Sequence, residues 1–176
     1  MNASPPAVPP GFEPLALGGE FMRHNGPLYL RALAEAGLAG RGAPTADAAG
    51  AAGGADAGAS GPRRVQIGFR VESRHTNPAG ICHGGMMASF CDMLLPVCAH
   101  HQVPAVARRF LPTINLQIDY LAPSPLGAWV QGEADVLRCT TTLAFIQGLV
   151  TADGEPVARA SGIFKIGPLF PHPRGG

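Results

Sequence analysis

Downstream of residue 62 the chain carries two periodicities in succession. Residues 65–72 alternate apolar and polar positions (Val65, Ile67, Phe69 and Val71 against Gln66, Arg70 and Glu72), which is the period of a half-buried strand. From Gly84 to about His100 the apolar residues Met86, Met87, Phe90, Cys91, Leu94, Leu95 and Cys98 recur mainly at helical spacing. Polar residues are so few there that the helix is expected to be buried on most sides, and Pro96 within it predicts a kink or an early end. Residues 113–121 return to alternation, with Ile114, Leu116, Ile118 and Tyr120 on one face and Asn115, Gln117 and Asp119 on the other. Three further strands are expected over 128–138, 141–151 and 156–166, the last two joined at Asp153-Gly154, a strong hairpin signal. One buried helix followed by an antiparallel meander makes an α+β chain in which a curved sheet packs on a helix.

Upstream the signals are weaker. Residues 1–12 are Pro-rich and read as disordered or extended. A short helix is expected over 28–38, where Leu30, Leu33, Ala34 and Leu38 fall at helical spacing, ended by Gly37 and Gly40. The stretch 40–62 is almost entirely Ala, Gly, Asp, Ser and Pro; it has nothing bulky to bury and reads as a flexible insertion. The expected organisation is therefore an N-terminal extension with a short helix (1–39), the insertion (40–62), the main domain (63–168) and a C-terminal tail (169–176).

With 176 residues the chain suits one domain with a sizeable core. Hydrophobic content of 46% with 14% charged residues describes a globular protein, and a formal net charge of +1 gives no electrostatic reason to expect nucleic acid or membrane as a partner. None of the four cysteines forms a C-x-x-C pair and no His stands at zinc-finger spacing, so no metal site is expected. Cys91 and Cys98 read as small apolar residues on one helix face. Neither a secretory signal nor an apolar run of membrane-spanning length is present, which makes the cytoplasm the default location. His75, His100 and His101 fit no catalytic pattern and read as surface or loop residues.

Two features carry chemistry. Gly84 and Gly85 open a hydrophobic helix and leave backbone N–H groups unshielded at its positive end, where a carbonyl oxygen gaining negative charge can be held. Asn77, in an Asn-Pro turn just upstream, offers a second donor. Asp92 is a carboxylate amid Phe90, Cys91, Met93, Leu94 and Leu95, surroundings in which an acid is costly unless it is paired or used. The two features are eight residues apart, about 12 Å along a straight helix. If both act on one carbonyl, a second chain must supply one of them; two antiparallel copies of the helix in a two-fold dimer would do so.

The combination of Asn77, Gly80, His83, Gly84, Gly85 and Asp92 resembles the hotdog-fold acyl-CoA thioesterases of the phenylacetate-pathway (PaaI-type) branch. The likeness continues through Thr113–Tyr120, Pro123 and Gly127, covers about residues 65–166, and includes residues 25–29 as the start of a helix. It implies a hotdog fold in which a sheet wraps one long helix, and homodimers or homotetramers joined at sheet edges. It implies that Asn77 and the Gly84 N–H hold the thioester oxygen while His83 positions the loop. Asp92 of the partner chain would be general base or nucleophile, with Thr113 orienting the water. No cofactor or metal is implied, coenzyme A arriving as part of an acyl-CoA substrate. Arg108 and Arg109 are candidates for its phosphates, and Gly85, Met86 and Phe90 for the substrate wall. Two other readings remain open at this stage: a non-catalytic acyl-thioester binding or regulatory protein, and a hotdog enoyl-CoA hydratase. A thioester carbonyl is already activated, so oxyanion stabilisation and one base can suffice; no G-x-S-x-G nucleophile elbow is present.

Overall fold

The computed structural model describes residues 7–15, 19–33 and 63–170. The predicted insertion over 40–62, the second half of the predicted helix and residues 171–176 lie outside the described residues. Among the described residues seven strands form one antiparallel sheet. They are β1 (Glu13–Pro14), β2 (Tyr29–Ala32), β3 (Val65–Arg70), β4 (Thr113–Tyr120), β5 (Trp129–Cys139), β6 (Leu143–Ala152) and β7 (Glu155–Lys165), in the order β1-β2-β3-β5-β6-β7-β4. The helices are α1 (Glu20–Asn25) and the 19-residue α2 (Gly84–Gln102).

α2 lies against the sheet, with Phe90, Leu94 and Leu95 fully buried and Phe90 against Phe69 at 5.0 Å between ring centroids. Glycines stand directly beneath it in β5 and β6. A β-carbon on Gly132 would stand 2.5 Å from Leu94 Cδ2; one on Gly148 would stand 2.8 Å from the Glu133 carbonyl oxygen and 3.1 Å from Leu95 Cδ2. Glycine at these positions lets the helix come down onto β5 and β6. That packing along the whole helix also carries it past Pro96. The expected early end does not occur, and α2 closes only at Gln102, where the Val103 N–H still reaches the Ala99 carbonyl.

Three expectations are corrected. Residues 29–32 are a strand, not a helix: Leu30 sits opposite Ile67 in β3, and sheet pairing overrides the helical spacing of the leucines. The helix that does form, α1, precedes it and ends at Gly26-Pro27. The described part of the N-terminal extension therefore joins the sheet, and within residues 7–12, read as disordered or extended, the chain is ordered: Phe12 is buried against Trp129, with Arg31 over its ring at 4.5 Å. Third, His75 is not at the surface. It is buried, edge-on to Phe69 at 5.4 Å, and its Nδ1 accepts from the Glu72 N–H at 3.1 Å. His100 and His101 are half-buried. Cys91 and Cys98 are both fully buried, as expected of apolar helix positions, and burial pushes their thiols up to about 12.

Gly148→Ala is expected to destabilise the fold by about 1–3 kcal/mol, because its new methyl meets backbone that has no room to move; urea unfolding measures it. Burial holds His75, His100 and His101 below their ordinary values, with the Arg74 guanidinium adding to the effect at His75. These imidazoles stay neutral in the fold while the unfolded chain's protonate. Stability is therefore full above about pH 6.5 and falls as pH drops below it toward the lowered native values. Melting temperatures between pH 7.5 and pH 5 should decline accordingly, and less steeply in His100→Gln.

Candidate active site

Residues 76–83 form a tight loop that delivers His83 to the N-terminus of α2. Thr76 bridges Cys82 and Ile81 bridges Pro125, and the His83 N–H donates to the His75 carbonyl at 2.7 Å. Within the loop the Asn77 Oδ1 accepts from the Ala79 N–H at 3.0 Å and the Ile81 N–H at 3.4 Å, the turn that Asn-Pro predicts. This commits the carbonyl end of the amide to the loop. The Nδ2 end has no acceptor among the described residues and keeps its donors for something else.

His83 is the N-cap of α2, its Nδ1 accepting from the Gly85 N–H at 2.8 Å. An accepting Nδ1 carries no proton, so any proton on the neutral ring sits on Nε2. The cap uses up Gly85, whereas the Gly84 and Met86 N–H groups find no acceptor among the described residues. The site offers its donors there, at the positive end of the helix dipole. Tyr120 of β4 reaches the same spot. Its hydroxyl donates to the Gly84 carbonyl at 2.9 Å, and a β-carbon on Gly84 would stand 3.5 Å from the Tyr120 ring.

Asp92 is partly exposed, two turns further along α2. Thr113, the first residue of β4, donates from Oγ1 to Asp92 Oδ1 at 2.6 Å, a short charge-assisted bond. The hydroxyl fixes one carboxylate oxygen and leaves the other open. Both residues border a cavity of about 680 Å³ whose remaining wall is mostly apolar. β4 thus touches α2 at two places, Thr113 at Asp92 and Tyr120 at Gly84, and it is the last strand of the sheet among the described residues.

The chain accordingly brings Asp92 together with Thr113, and Asn77 into one loop with His83 and Gly84, but it does not bring the two groups together. Of the residues expected to form the substrate wall, Met86 and Phe90 are buried in the core and Gly85 is occupied by His83; none of them borders the cavity at Asp92. Arg109 is committed as well, its Nη1 donating to the Gly167 carbonyl at 3.1 Å, while Arg108 is exposed at a left-handed backbone position (φ 59°). Sequence reasoning missed Tyr120 as a site residue. The available signal was an aromatic residue with a polar tip at the end of the strand that begins with Thr113. It also missed Met22, Phe110 and Phe170 on the cavity wall, which nothing in the local pattern marks. Among the described residues no group of three His, Cys, Asp or Glu is placed to hold a metal ion, and no helix is long and apolar enough to cross a membrane.

Comparison with known proteins bears on the fold and the family. The family model for the thioesterase superfamily matches residues 79–158. Human acyl-coenzyme A thioesterase 13 is 31% identical over 103 residues, covering 56% of this chain and 69% of that protein. Among solved structures, zebra fish thioesterase superfamily member 2 superposes with a TM-score of 0.54 at 26% identity, over 62% of this chain and 78% of that one. A hypothetical thioesterase from Streptococcus pneumoniae, solved with coenzyme A, gives 0.53 at 18% identity over 61% and 84%, and shares the fold. The long helix on its antiparallel sheet is the hotdog fold. Identity at that level, over that share of the human relative and on a common frame, makes this chain a member of the thioesterase superfamily.

Proposed function

We propose that the protein hydrolyses acyl-CoA thioesters at a site shared between two copies of the chain, in the manner of the PaaI-type branch. The observation that carries this reading is the Thr113–Asp92 bond at the mouth of an apolar cavity, on the same strand whose other end holds Gly84. The second copy follows from the strand. β4 has a free edge and carries exposed Ile114 and Tyr120, an arrangement that invites pairing with another strand. Antiparallel pairing of β4 with its own copy about a two-fold axis near Leu116 and Gln117 would set Thr113 opposite the partner subunit's Tyr120. Each Asp92 then faces the other chain's Gly84, which bridges the separation along one helix.

In that site the thioester oxygen sits on the Gly84 N–H and the Asn77 Nδ2, donors that are already oriented and so cost no reorganisation as charge develops. The partner subunit's Asp92, one oxygen held by its own Thr113, takes a proton from water as the water oxygen bonds to the carbonyl carbon. Collapse of the tetrahedral adduct restores the carbonyl, breaks the C–S bond and releases the coenzyme A thiolate, which is protonated to the thiol. Attack by the carboxylate itself, followed by hydrolysis of the anhydride, uses the same groups. The electrophile needs no further activation, which suits a site with no serine elbow.

Asp92→Asn should lower kcat on a panel of aryl- and alkyl-acyl-CoA substrates by about a hundredfold to ten-thousandfold, followed by thiol release. Cleavage by the variant as fast as by wild type would remove the hydrolytic reading. Asn77→Asp keeps the acceptor that builds the loop and deletes the donor, and should cost about a hundredfold or more. Mixing the two inactive variants should restore about half the activity in each hybrid dimer, since one of its two sites is intact. No recovery, with hybrid formation verified by mass, would place each site within one chain.

A further inference from the structure

The cavity beside Asp92 has a shape that the reaction itself does not require. Its helix side is made by Asp92, Met93, Pro96, Val97 and His100, which share one face of α2, so the cavity follows the helix for about 12 Å. The opposite side is the segment from Phe110 to Thr113, running the other way. Thr113 bonds Asp92 at one end, and at the other the His100 Nε2–H donates to the Arg109 carbonyl at 2.8 Å. The reacting carboxylate is thus at one end and a wall of rings at the other. There Phe170 stands 6.0 Å from His100 and 5.9 Å from Phe110, both near edge-on.

Phe170 is held in place by a strap of backbone. Its N–H donates to the Arg108 carbonyl at 2.8 Å, the Phe110 N–H to the Pro168 carbonyl at 2.8 Å, and the Gly167 N–H to the Phe110 carbonyl at 2.9 Å. The expected tail therefore begins as part of the cavity wall. Phe110 and Phe170 remain 50% and 44% exposed, apolar area that an occupant would cover. Between Asp92 and His100 the wall is apolar and offers no hydrogen-bonding side chain, which suits an alkyl or aryl chain and not an amide-bearing pantetheine arm or peptide.

We propose that Phe170 is the end wall of the acyl pocket and sets the longest apolar acyl group the enzyme accepts, an inference that rests on Asp92 serving thioester hydrolysis. Phe170 lies outside residues 79–158, so this limit belongs to the chain's own C-terminal segment and not to the matched family region. The test compares kcat/KM across saturated acyl-CoAs from butyryl to palmitoyl for wild type, Phe170→Ala and Phe170→Trp. Removing the ring should raise the ratio of long-chain to medium-chain kcat/KM by about tenfold, and the larger indole should lower it by about as much, the discrimination expected of pocket volume. Ratios that stay put in both variants, or a uniform fall at every length, would overturn the proposal. If the alanine variant does not fold, the tryptophan variant reads the opposite shift by itself. Asp92→Asn run alongside separates the two claims: full activity there defeats the hydrolytic reading, whereas unchanged ratios with Asp92 essential defeat only the role of Phe170.

Discussion

Leu94 comes down over Gly132 and Leu95 over Gly148, and the remaining geometry follows from that contact. With Gly132 and Gly148 under the helix, α2 sits close enough for its flanks to be reached by residues of β4 and by the segment before it. A β-carbon at either glycine meets leucine or backbone at less than van der Waals separation, so a bulkier residue would lift the helix. The bonds from Thr113 to Asp92 and from Tyr120 to Gly84 tolerate little of that movement. Packing in the core and precision in the site are here one constraint.

β4 carries the second part of the design. As the last strand it has one edge paired with β7 and one edge open, and its two ends mark the two ends of the proposed chemistry. An edge strand with exposed apolar side chains is a liability in a monomer. It becomes an asset if the same edge brings the complementary half-site from another copy. In the proposed dimer the separation of Asp92 from Gly84 along one helix has a purpose, since the two groups would meet on one substrate only when two chains come together.

The N- and C-terminal segments adapt this frame. Phe12 and Tyr29 pack around Trp129, which fastens β1 and β2 to the sheet, and the strap from Gly167 to Phe170 fastens the end of the chain to the segment before β4. α1 contributes Met22 and the strap contributes Phe170 to the cavity. Variation in such appended segments can alter what the cavity holds without disturbing the helix and its cap.

Much of this was legible in residue order. Alternation and helical spacing are local properties, so β3 to β7 and α2 follow from them to within a few residues, as does the pairing of a glycine-opened helix with a carboxylate in an apolar run. The distance between Gly84 and Asp92 needed only the helix rise. Residues 28–33 were misread because leucines at helical spacing cannot reveal an open strand edge waiting to be paired, and His75 because burial depends on what folds over a turn. Met86 and Phe90, expected at the substrate wall, are apolar and near the motif, but the sheet takes their face of the helix and neither borders the cavity beside Asp92. The sequence by itself determined the elements, the glycine-opened helix end and the isolated acid, since backbone geometry and local burial preference dictate these. Only the tertiary structure decided which donors stay free and which rings close the cavity, because each depends on residues distant in the chain that meet only when the sheet closes on the helix.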